Sequence, residues 1–289
     1  MAHIIDGKKI SQQILLEVKD RASVFLKKTG KKPGLATVLV GDDPASHVYV
    51  GQKIKKSEEN GLVSFHCPLP SNVSQQELIK TIENLNKDSA VHGILVQLPL
   101  PQHLDSDAAI KTIAPQKDAD GLHPFNQGAL IQMKSWKDIS TSEIPVPCTP
   151  AGVIELLLRE KIPVSGKHAV VVGRSTLVGK PVAQLLLSLD ATVTMVHSKT
   201  ENFEVICKSA DILIAAIGRA QFIKSSAVKL GAVVIDVGIN RTPQGLKGDV
   251  DFDEIQKTAS AITPVPGGVG PMTVALLLQN TVKLAEKSI

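Results

Sequence analysis

The chain is poor in aromatic residues and in cysteine. Aromatic residues make up 3% of its 289 residues, with one tyrosine, Tyr49, and one tryptophan, Trp136. Proteins that bind single-stranded nucleic acid stack the bases on aromatic side chains, so this composition disfavours that class. The three cysteines are far apart and form no CxxC pair, which indicates neither a disulfide framework nor a structural zinc site. Unpaired thiols are typical of a reducing compartment and favour the cytoplasm.

A strong charge of one sign and long apolar runs are also missing. The 32 basic side chains exceed the 28 acidic ones by only four, which predicts no nucleic-acid partner. No segment reaches the roughly 18 apolar residues of a membrane helix, and the N-terminal MAHIIDGKKI has no apolar signal-peptide core. None of the eight histidines lies in a metal-binding pattern. We expect a globular protein of two domains with no metal and no membrane contact.

Apolar periodicity in the first half predicts alternating strands and helices. Apolar residues recur every three or four positions over 9–28, as in an amphipathic helix. Short aliphatic runs between turn residues predict strands. We expect strands at 35–40, 63–68 and 93–97. One helix is expected at 46–61, with Ser46 as its N-cap. A second helix is expected to begin with a capping box formed by Ser74 and Glu77 and to continue through residue 85. This alternation indicates an α/β fold in which helices cover a parallel sheet.

A second alternating series follows the polar stretch 134–143, where we place a change of domain. Thr149 and Pro150 have the residue types of an N-cap and a first helical residue. The later aliphatic runs are typical of strands buried on both faces. We expect helices at 151–159, 180–189 and 272–284, and strands at 168–172, 192–196, 211–215, 232–237 and near Ile262. Because no strand follows the last helix, we expect it to pack against the N-terminal domain.

The segment VVVGRSTLVGKP, residues 170–181, has the order of a strand, a glycine-bearing turn and a helix. In that context backbone N–H groups and the helix N-terminus bind phosphate. Gly173 and Gly179 are present, but Ser175 stands where a GxGxxG motif has its second glycine. The pattern therefore predicts either a dinucleotide site or only a tight strand-to-helix turn.

The next predicted strand bears on the choice of dinucleotide. It ends in MVHSKT, residues 195–200, without the carboxylate that binds the ribose 2′-hydroxyl in NAD sites. Arg174, Ser198 and Lys199 could instead neutralise or hydrogen-bond a 2′-phosphate, which favours NADP. The alternative is that Ser198 and Thr200 only cap the following helix and that Arg174 is a solvated surface charge. Further on, AAIGRAQFI and DVGIN place glycines after strands, either beside the nicotinamide or in simple turns.

Tyr49 and Lys53 lie four residues apart on a predicted helix, so their side chains project from one face. A lysine can polarise a substrate nitrogen or act as a base, and a neighbouring phenol can stack on a ring or donate a hydrogen bond. Two exposed surface residues are the alternative interpretation.

Three further segments carry candidate site residues. In VQLPLP, Pro99 cannot donate to a sheet, so the strand ends and presents Gln97 at its carboxyl edge. The turn KDADGLHP holds Asp118, Asp120 and His123, where an aspartate either binds a substrate amino group or caps the turn. In PVPGGVGPMT, residues 264–273, three glycines and three prolines make a shaped loop, which either approaches a ligand or is a hinge.

Taken in order, eight motifs resemble one family, the bifunctional methylenetetrahydrofolate dehydrogenase/methenyltetrahydrofolate cyclohydrolases, or FolD family. The resemblance runs from about Ile5 to about Leu284. Any one of the motifs is ambiguous, whereas the ordered set is specific. The motifs are ASHVYVGQK, GILVQLPLP, KDADGLHP, CTPAGV, VVVGRSTLVGKP, TVTMVHSKT, DVGIN and PVPGGVGPMT.

The resemblance implies two reactions of one-carbon metabolism that supply purine biosynthesis. The first is NADP-dependent oxidation of 5,10-methylenetetrahydrofolate to the methenyl cation, and the second is hydrolysis of that cation to 10-formyltetrahydrofolate. It also implies a homodimer joined through the cofactor domains. The implied domains are a catalytic tetrahydrofolate domain at 1–147, completed by the helix at 272–289, and a Rossmann-like NADP domain at 148–271.

The resemblance also implies roles for individual residues. Lys53 is then the catalytic residue, Gln97 hydrogen-bonds to it, Tyr49 stacks on the aromatic part of the substrate, and Asp120 holds the pterin ring. The implied cofactor contacts are Gly173, Arg174, Ser175, Ser198 and Ile239, and the folate site adds Val96, Leu98, Pro266, Gly267, Gly268, Val269 and Gly270.

Three alternatives stay open at the level of sequence. One is a different NADP dehydrogenase that uses a Lys and Asp pair on a carbocyclic acid. Another is a non-catalytic protein of the same fold that binds folate or a dinucleotide. The third is a family member that keeps only one of the two activities.

Overall fold

The structure is a computed structural model that describes residues 1–289, apart from the side chain of Ala45. Its helices are α1 (Gly7–Thr29), α2 (Pro44–Glu59), α3 (Gln75–Lys87), α4 (Ser106–Thr112), α5 (Pro124–Gln132), α6 (Trp136–Thr141), α7 (Cys148–Arg159), α8 (Gly179–Ser188), α9 (Phe203–Lys208), α10 (Phe252–Ile255) and α11 (Val269–Glu286). Its strands are β1 (His3–Ile4), β2 (Gly34–Val40), β3 (Val63–Leu69), β4 (Gly93–Val96), β5 (His168–Val172), β6 (Thr192–Val196), β7 (Ile212–Ala215), β8 (Val233–Asp236), β9 (Asn240–Thr242), β10 (Gly245–Lys247) and β11 (Ala261–Ile262).

The chain forms two compact units that interleave along the sequence. The six-stranded unit comprises Met1–Gln12, Ile131–Thr141 and Pro147–Thr273, and the three-stranded unit comprises Gln13–Leu130, Ser142–Val146 and Val274–Ile289. Each unit has its own sheet with helices packed on it, which confirms the predicted α/β class.

The three-stranded unit has the parallel order β3-β2-β4. Every residue of β2 and β4 is buried, as expected for aliphatic strands covered on both faces. The predicted capping box is present at the start of α3, where Ser74 and Glu77 each accept the backbone N–H of the other. Its reciprocal hydrogen bonds satisfy two amides that the helix leaves unpaired.

The C-terminal part of α11 belongs to the three-stranded unit, as predicted. Asn280 Nδ2 donates to the carbonyl oxygens of Ala119 at 3.0 Å and Val146 at 2.9 Å. Arg21 on α1 pairs with Glu286 at 2.6 Å. The last helix therefore completes a unit built mainly from the first half of the chain.

The six-stranded unit has the order β1-β11-β8-β7-β5-β6, with every neighbouring pair parallel. Its core consists of aliphatic side chains such as Val170, Leu213 and Val234, which are fully buried. The order changes direction at β5, since β6 lies on one side of it and β7 and β8 lie on the other. In doubly wound sheets, ligands bind at the carboxyl ends of the strands beside such a reversal.

Two predicted helix starts are wrong. Helix α7 begins at Cys148 with Pro147 at the N-cap, because the hydroxyl of Thr149 lies 3.0 Å from that of Thr273 instead of capping the helix. Helix α2 is capped by Asp43, whose carboxylate accepts the backbone N–H of Ser46 at 2.8 Å. The start of α7 thus depends on a tertiary contact, and the start of α2 depends on a carboxylate that lies upstream of Ser46.

Candidate functional site

Lys53 and Gln97 meet in the three-stranded unit. Lys53 lies on α2 and is 9% exposed, and its Nζ donates a hydrogen bond to Gln97 Oε1 at 2.8 Å. The Gln97 side chain is held in turn, because its Nε2 donates to the carbonyl oxygen of Leu98 at 2.6 Å. The fixed amide therefore presents its oxygen to the lysine, so the structure brings together the two residues that the motifs indicated.

The local fold explains this pairing. The backbone N–H of Gln97 continues the ladder beyond β4 by donating to the carbonyl of Val38 at 2.9 Å. The peptide bond between Leu98 and Pro99 is cis, and the chain turns away from the sheet there. Tyr49 is half-buried one helical turn before Lys53, so the phenol and the amine share one face of α2. The sequence signals were the four-residue spacing on α2 and the proline after the strand.

The turn that carries Asp118 and Asp120 lies beside β4, where Ala119 donates to the carbonyl of Ile94 at 3.3 Å. Asp118 is 1% exposed, and its carboxylate accepts the backbone N–H groups of Leu122 at 3.2 Å and His123 at 2.8 Å.

Asn126 Nδ2 adds a third hydrogen bond to Asp118 at 2.9 Å. Burial raises the pKa of Asp118, against the effect of these donors. Asp118 therefore stabilises the turn through its hydrogen bonds. Asp120 is only half-buried, as a carboxylate that binds a ligand needs to be, and it stays the candidate for that role. The motif alone did not separate the two aspartates.

The loop at 264–270 lies in the six-stranded unit and depends on its glycines. A Cβ at Gly268 would collide with the carbonyl oxygen of Pro264, and Gly267 has a φ of +111°. The backbone N–H of Lys8 donates to the carbonyl of Gly267 at 3.1 Å. A Cβ at Gly270 would lie 3.4 Å from Ile239 Cδ1, so this loop approaches the turn after β8.

The turn between β5 and α8 has the close backbone packing that a phosphate site requires. Gly173 has a φ of +123°, and a Cβ there would collide with the carbonyl oxygen of Ala216. A Cβ at Gly179 would collide with the carbonyl oxygen of Gly173. Ser175 Oγ accepts the backbone N–H of Val178 at 3.2 Å and closes the turn. The N-terminal amides of α8 thus lie at the carboxyl edge of the sheet, an arrangement that suits a dinucleotide pyrophosphate.

The turn after β6 is next to the turn after β5. The backbone N–H of Gly173 donates to the carbonyl of Val196 at 2.9 Å, so the two strand ends are joined. Arg174, Ser198 and Lys199 are all exposed at these ends. The alternative that Ser198 or Thr200 caps the following helix is wrong, because Asn202 occupies the N-cap position of α9.

A cavity of about 880 Å³ lies elsewhere, at the amino ends of β2 and β4, and none of the predicted site residues lines it. Lysines surround it, but Lys117 Nζ donates to the carbonyl oxygens of Leu85 at 3.3 Å and Asp88 at 2.7 Å, at the end of α3. The C-terminal end of a helix carries a partial negative charge that attracts cations, so these contacts give Lys117 a structural role. We therefore assign the cavity no part in the site.

The residues that the structure describes contain no helix long and apolar enough to cross a membrane. Within the same residues, no group of three or more His, Cys, Asp or Glu side chains could hold a metal ion.

Comparison with known proteins identifies the family. The family models for tetrahydrofolate dehydrogenase/cyclohydrolase match at residues 5–120 for the catalytic domain and 147–289 for the NAD(P)-binding domain. The "Bifunctional protein FolD" of Acetivibrio thermocellus is 51% identical over 290 residues, which cover 99% of this chain and 97% of the relative.

Solved structures agree with this result. The crystal structure of the bifunctional enzyme FolD from Campylobacter jejuni has a TM-score of 0.94 and 46% identity, with full coverage of both chains. The Trypanosoma brucei FolD structure, complexed with NADP cofactor and inhibitor, has a TM-score of 0.92 and 41% identity, covering 99% of this chain and 98% of that one. The chain therefore belongs to the tetrahydrofolate dehydrogenase/cyclohydrolase family, as the order of its motifs predicted.

Proposed function

We infer that this chain is a bifunctional folate enzyme. It oxidises 5,10-methylenetetrahydrofolate to 5,10-methenyltetrahydrofolate with NADP, and it hydrolyses the product to 10-formyltetrahydrofolate. The observation that carries this conclusion is the hydrogen bond of 2.8 Å between buried Lys53 and Gln97, in the same unit as Asp120. Relatives of about half-identical sequence, matched over almost their whole length, have the name of the bifunctional enzyme.

The residues after β5 and β6 fit an NADP molecule. Gly173 and Ser175 lie in the backbone turn that suits the pyrophosphate, and Arg174 and Ser198 are exposed where a 2′-phosphate would lie. No carboxylate stands in residues 195–200 to repel that phosphate. Ile239, in the turn after β8, is the fifth proposed contact. Bound NADP supplies a hydride acceptor.

In the first reaction, the main task of the protein is to orient the folate relative to the cofactor. The reacting carbon is flanked by two nitrogens whose lone pairs stabilise the cation that forms, so loss of hydride needs little acid–base help. In this proposal Tyr49 stacks on the aromatic part of the folate, and Asp120 accepts hydrogen bonds from the pterin. Both residues act by holding the substrate in one pose.

The second reaction requires proton transfer. Water adds to the methenyl carbon and loses a proton, and the adduct then opens at one carbon–nitrogen bond, leaving the formyl group on N10 and a proton on N5. When it is neutral, the Lys53 amine can take the first proton from water and return it to N5 as the carbon–nitrogen bond breaks. The hydroxyl proton of the adduct leaves to solvent as the formyl carbonyl forms, so the reaction releases one proton overall. Gln97 Oε1 holds Nζ in place throughout, because it accepts an N–H from either protonation state of the lysine.

Further assignments belong to the same proposal. The folate-binding residues also include Val96, Leu98 and the loop Pro266 to Gly270. The catalytic domain spans 1–147 with 272–289, and the NADP domain spans 148–271. A homodimer joined through the NADP domains and a cytoplasmic location complete it. The cysteine content supports this location, since the three cysteines form no CxxC pair.

A spectrophotometric assay tests the function. Purified protein is mixed with 5,10-methylenetetrahydrofolate and either NADP or NAD, and reduced cofactor and methenyl product are followed separately. Formation of NADPH without accumulation of the methenyl product supports both activities. Parallel accumulation of both products would leave a dehydrogenase without efficient hydrolysis, and absence of turnover with either cofactor would contradict the proposal.

A further inference from the structure

Two buried aspartates, Asp236 and Asp249, join the loops at the carboxyl ends of β7 and β8. Asp236 is 2% exposed and Asp249 is fully buried. Neither belongs to the proposed site, and the two reactions do not use them. Burying two carboxylates close together is costly unless each is well hydrogen-bonded. Their surroundings therefore indicate what this arrangement achieves.

Asp249 fixes the loop after β7. Its carboxylate accepts three successive backbone N–H groups, from Ile217 at 2.7 Å, Gly218 at 3.0 Å and Arg219 at 2.8 Å. A concave run of backbone N–H groups of this kind binds anions, and here a side chain of the protein fills it. Charge-assisted bonds of this type are stronger than those between neutral groups, so the loop is held in one conformation.

The same pair fixes the turn that contains Ile239. Asp249 Oδ1 accepts a hydrogen bond from Asn240 Nδ2 at 2.9 Å, and Asp236 Oδ1 accepts the backbone N–H of Gly238 at 3.0 Å. The residues on both sides of Ile239 are therefore tied to the carboxylates. The Ile239 side chain is 44% exposed, so a rigid backbone presents an apolar group to solvent.

Asp236 also holds Asp249 in place. Its carboxylate accepts the backbone N–H groups of Asp249 at 2.9 Å and Val250 at 3.0 Å. Two glycines make room for the pair, since a Cβ at Gly238 would collide with Asp249 Oδ1 and a Cβ at Gly248 would collide with Asp236 Oδ2. The two carboxylates and the loops around them thus form one packed structure.

The sheet order indicates the role of the loops that Asp236 and Asp249 hold. The pyrophosphate turn, which includes Arg174, follows β5, and Ser198 and Lys199 follow β6, which lies on one side of β5. A dinucleotide that crosses the reversal places its other half over the ends of β7 and β8. The loops at 217–219 and 238–240 are at those ends.

We propose that Asp236 and Asp249 are positioning residues for the nicotinamide half of the dinucleotide. They shape the loops that receive it before it binds, and neither carboxylate touches the ligand. The identity of the ligand rests on the proposed function, whereas the shaping of the loops rests on the hydrogen bonds above. A preorganised site loses less conformational entropy on binding, so loosening the loops weakens affinity.

The variant Asp249→Asn tests this proposal. Its side-chain amide turns N–H groups toward the backbone N–H groups at 217–219, so it cannot accept all of the hydrogen bonds that the carboxylate accepts. NADP binding is measured by titration calorimetry, and exchange at 217–219 by hydrogen–deuterium exchange of the cofactor-free protein. We expect NADP affinity to fall about tenfold or more and exchange at the loop to accelerate. Hydrolysis of 5,10-methenyltetrahydrofolate needs no cofactor and should stay within about twofold of wild type. Asp253→Asn, an exposed acid in the same unit, is the matched control and should change nothing.

Several outcomes are decisive. Unchanged NADP affinity in Asp249→Asn would overturn the positioning role, and so would equal losses of NADP binding and hydrolysis in a folded variant. If Asp249→Asn does not fold, Asn240→Ala takes its place. It removes the hydrogen bond to Asp249 and a longer one, of 3.3 Å, to the carbonyl oxygen of Lys247. It should weaken NADP binding about threefold, and unchanged binding would again overturn the role. A wild-type protein that neither binds NADP nor hydrolyses the substrate would contradict the proposed function instead.

Discussion

Lys53 Nζ lies 2.8 Å from Gln97 Oε1, and this hydrogen bond joins the middle of α2 to the end of β4. The two residues are 44 positions apart in sequence. Since Lys53 is almost fully buried, its orientation is set by this amide and by the packing of α2. An amine fixed in this way is suited to repeated proton transfer at a single position.

Replacement of Lys53 by alanine tests its role in hydrolysis. We expect hydrolysis of 5,10-methenyltetrahydrofolate to slow by about 10² to 10⁴, the usual contribution of a general acid–base group. Circular dichroism and NADP binding should match wild type. The exposed neighbour Lys55 provides the control, because Lys55→Ala removes an amine from the same helix away from Gln97. Hydrolysis at the wild-type rate in Lys53→Ala would exclude the residue as the proton acceptor.

The two aspartates of the KDADGLHP turn should behave differently. Asp120→Ala should weaken folate binding far more than NADP binding, with no change in the free energy of unfolding. Asp118→Ala should cost about 1–3 kcal/mol of stability, because it leaves the N–H groups of Leu122 and His123 without their buried acceptor. Ligand titrations and urea unfolding of both variants make the comparison. Equal loss of folate and NADP binding in Asp120→Ala would indicate damage to the fold instead of a lost ligand contact.

Much of this fold could be predicted from the sequence, because most strands are short runs rich in aliphatic and β-branched residues between turn residues. The runs at 168–172 and 192–196 coincide with β5 and β6 at both ends. Short elements left no such pattern. Strand β1 has two residues, and the hairpin strands β9 and β10 have three each, so their pairing depends on tertiary contact.

The site was predictable where residues lie near one another in sequence or at strand ends. Tyr49 and Lys53 share a helix face, and the glycines after β5 lie in a recognisable turn. The role of Asp249 could not be predicted, since its amide partners are about thirty residues away and the DVD segment has no distinctive spacing. Burial, which separates Asp118 from Asp120, likewise follows from packing that a single sequence does not reveal.

Gly173 is a position where a single methyl group should weaken cofactor binding. Its φ of +123° disfavours any L side chain, and an added Cβ would collide with the carbonyl oxygen of Ala216. Gly173→Ala should therefore lower the free energy of unfolding by about 1–3 kcal/mol and weaken NADP binding.

Gly128→Ala is the control for that change. Gly128 lies in α5, and a Cβ there would meet nothing within 4 Å. The substitution should stabilise the protein by about 0.5–1 kcal/mol and leave NADP binding unchanged. Thermal unfolding and calorimetry of both variants decide the matter, and intact NADP binding in Gly173→Ala would remove this turn from the proposed cofactor site.

Asp236 should give the protein a distinctive dependence of stability on pH. Burial raises its pKa from 3.8 to about 7 in the folded state, against the three N–H groups that lower it. Between pH 3.8 and about pH 7, Asp236 carries a proton in the folded protein but not in the unfolded chain. The contribution of Asp236 to stability therefore falls as the pH rises through this window, and it levels off above pH 7. Urea unfolding at pH 5, 6, 7 and 8 should show wild type losing stability relative to Asp236→Asn, by at most about 1.4 kcal/mol per pH unit and with the change ending above pH 8. Parallel curves for the two proteins would mean that Asp236 is already ionised in the folded state at pH 5.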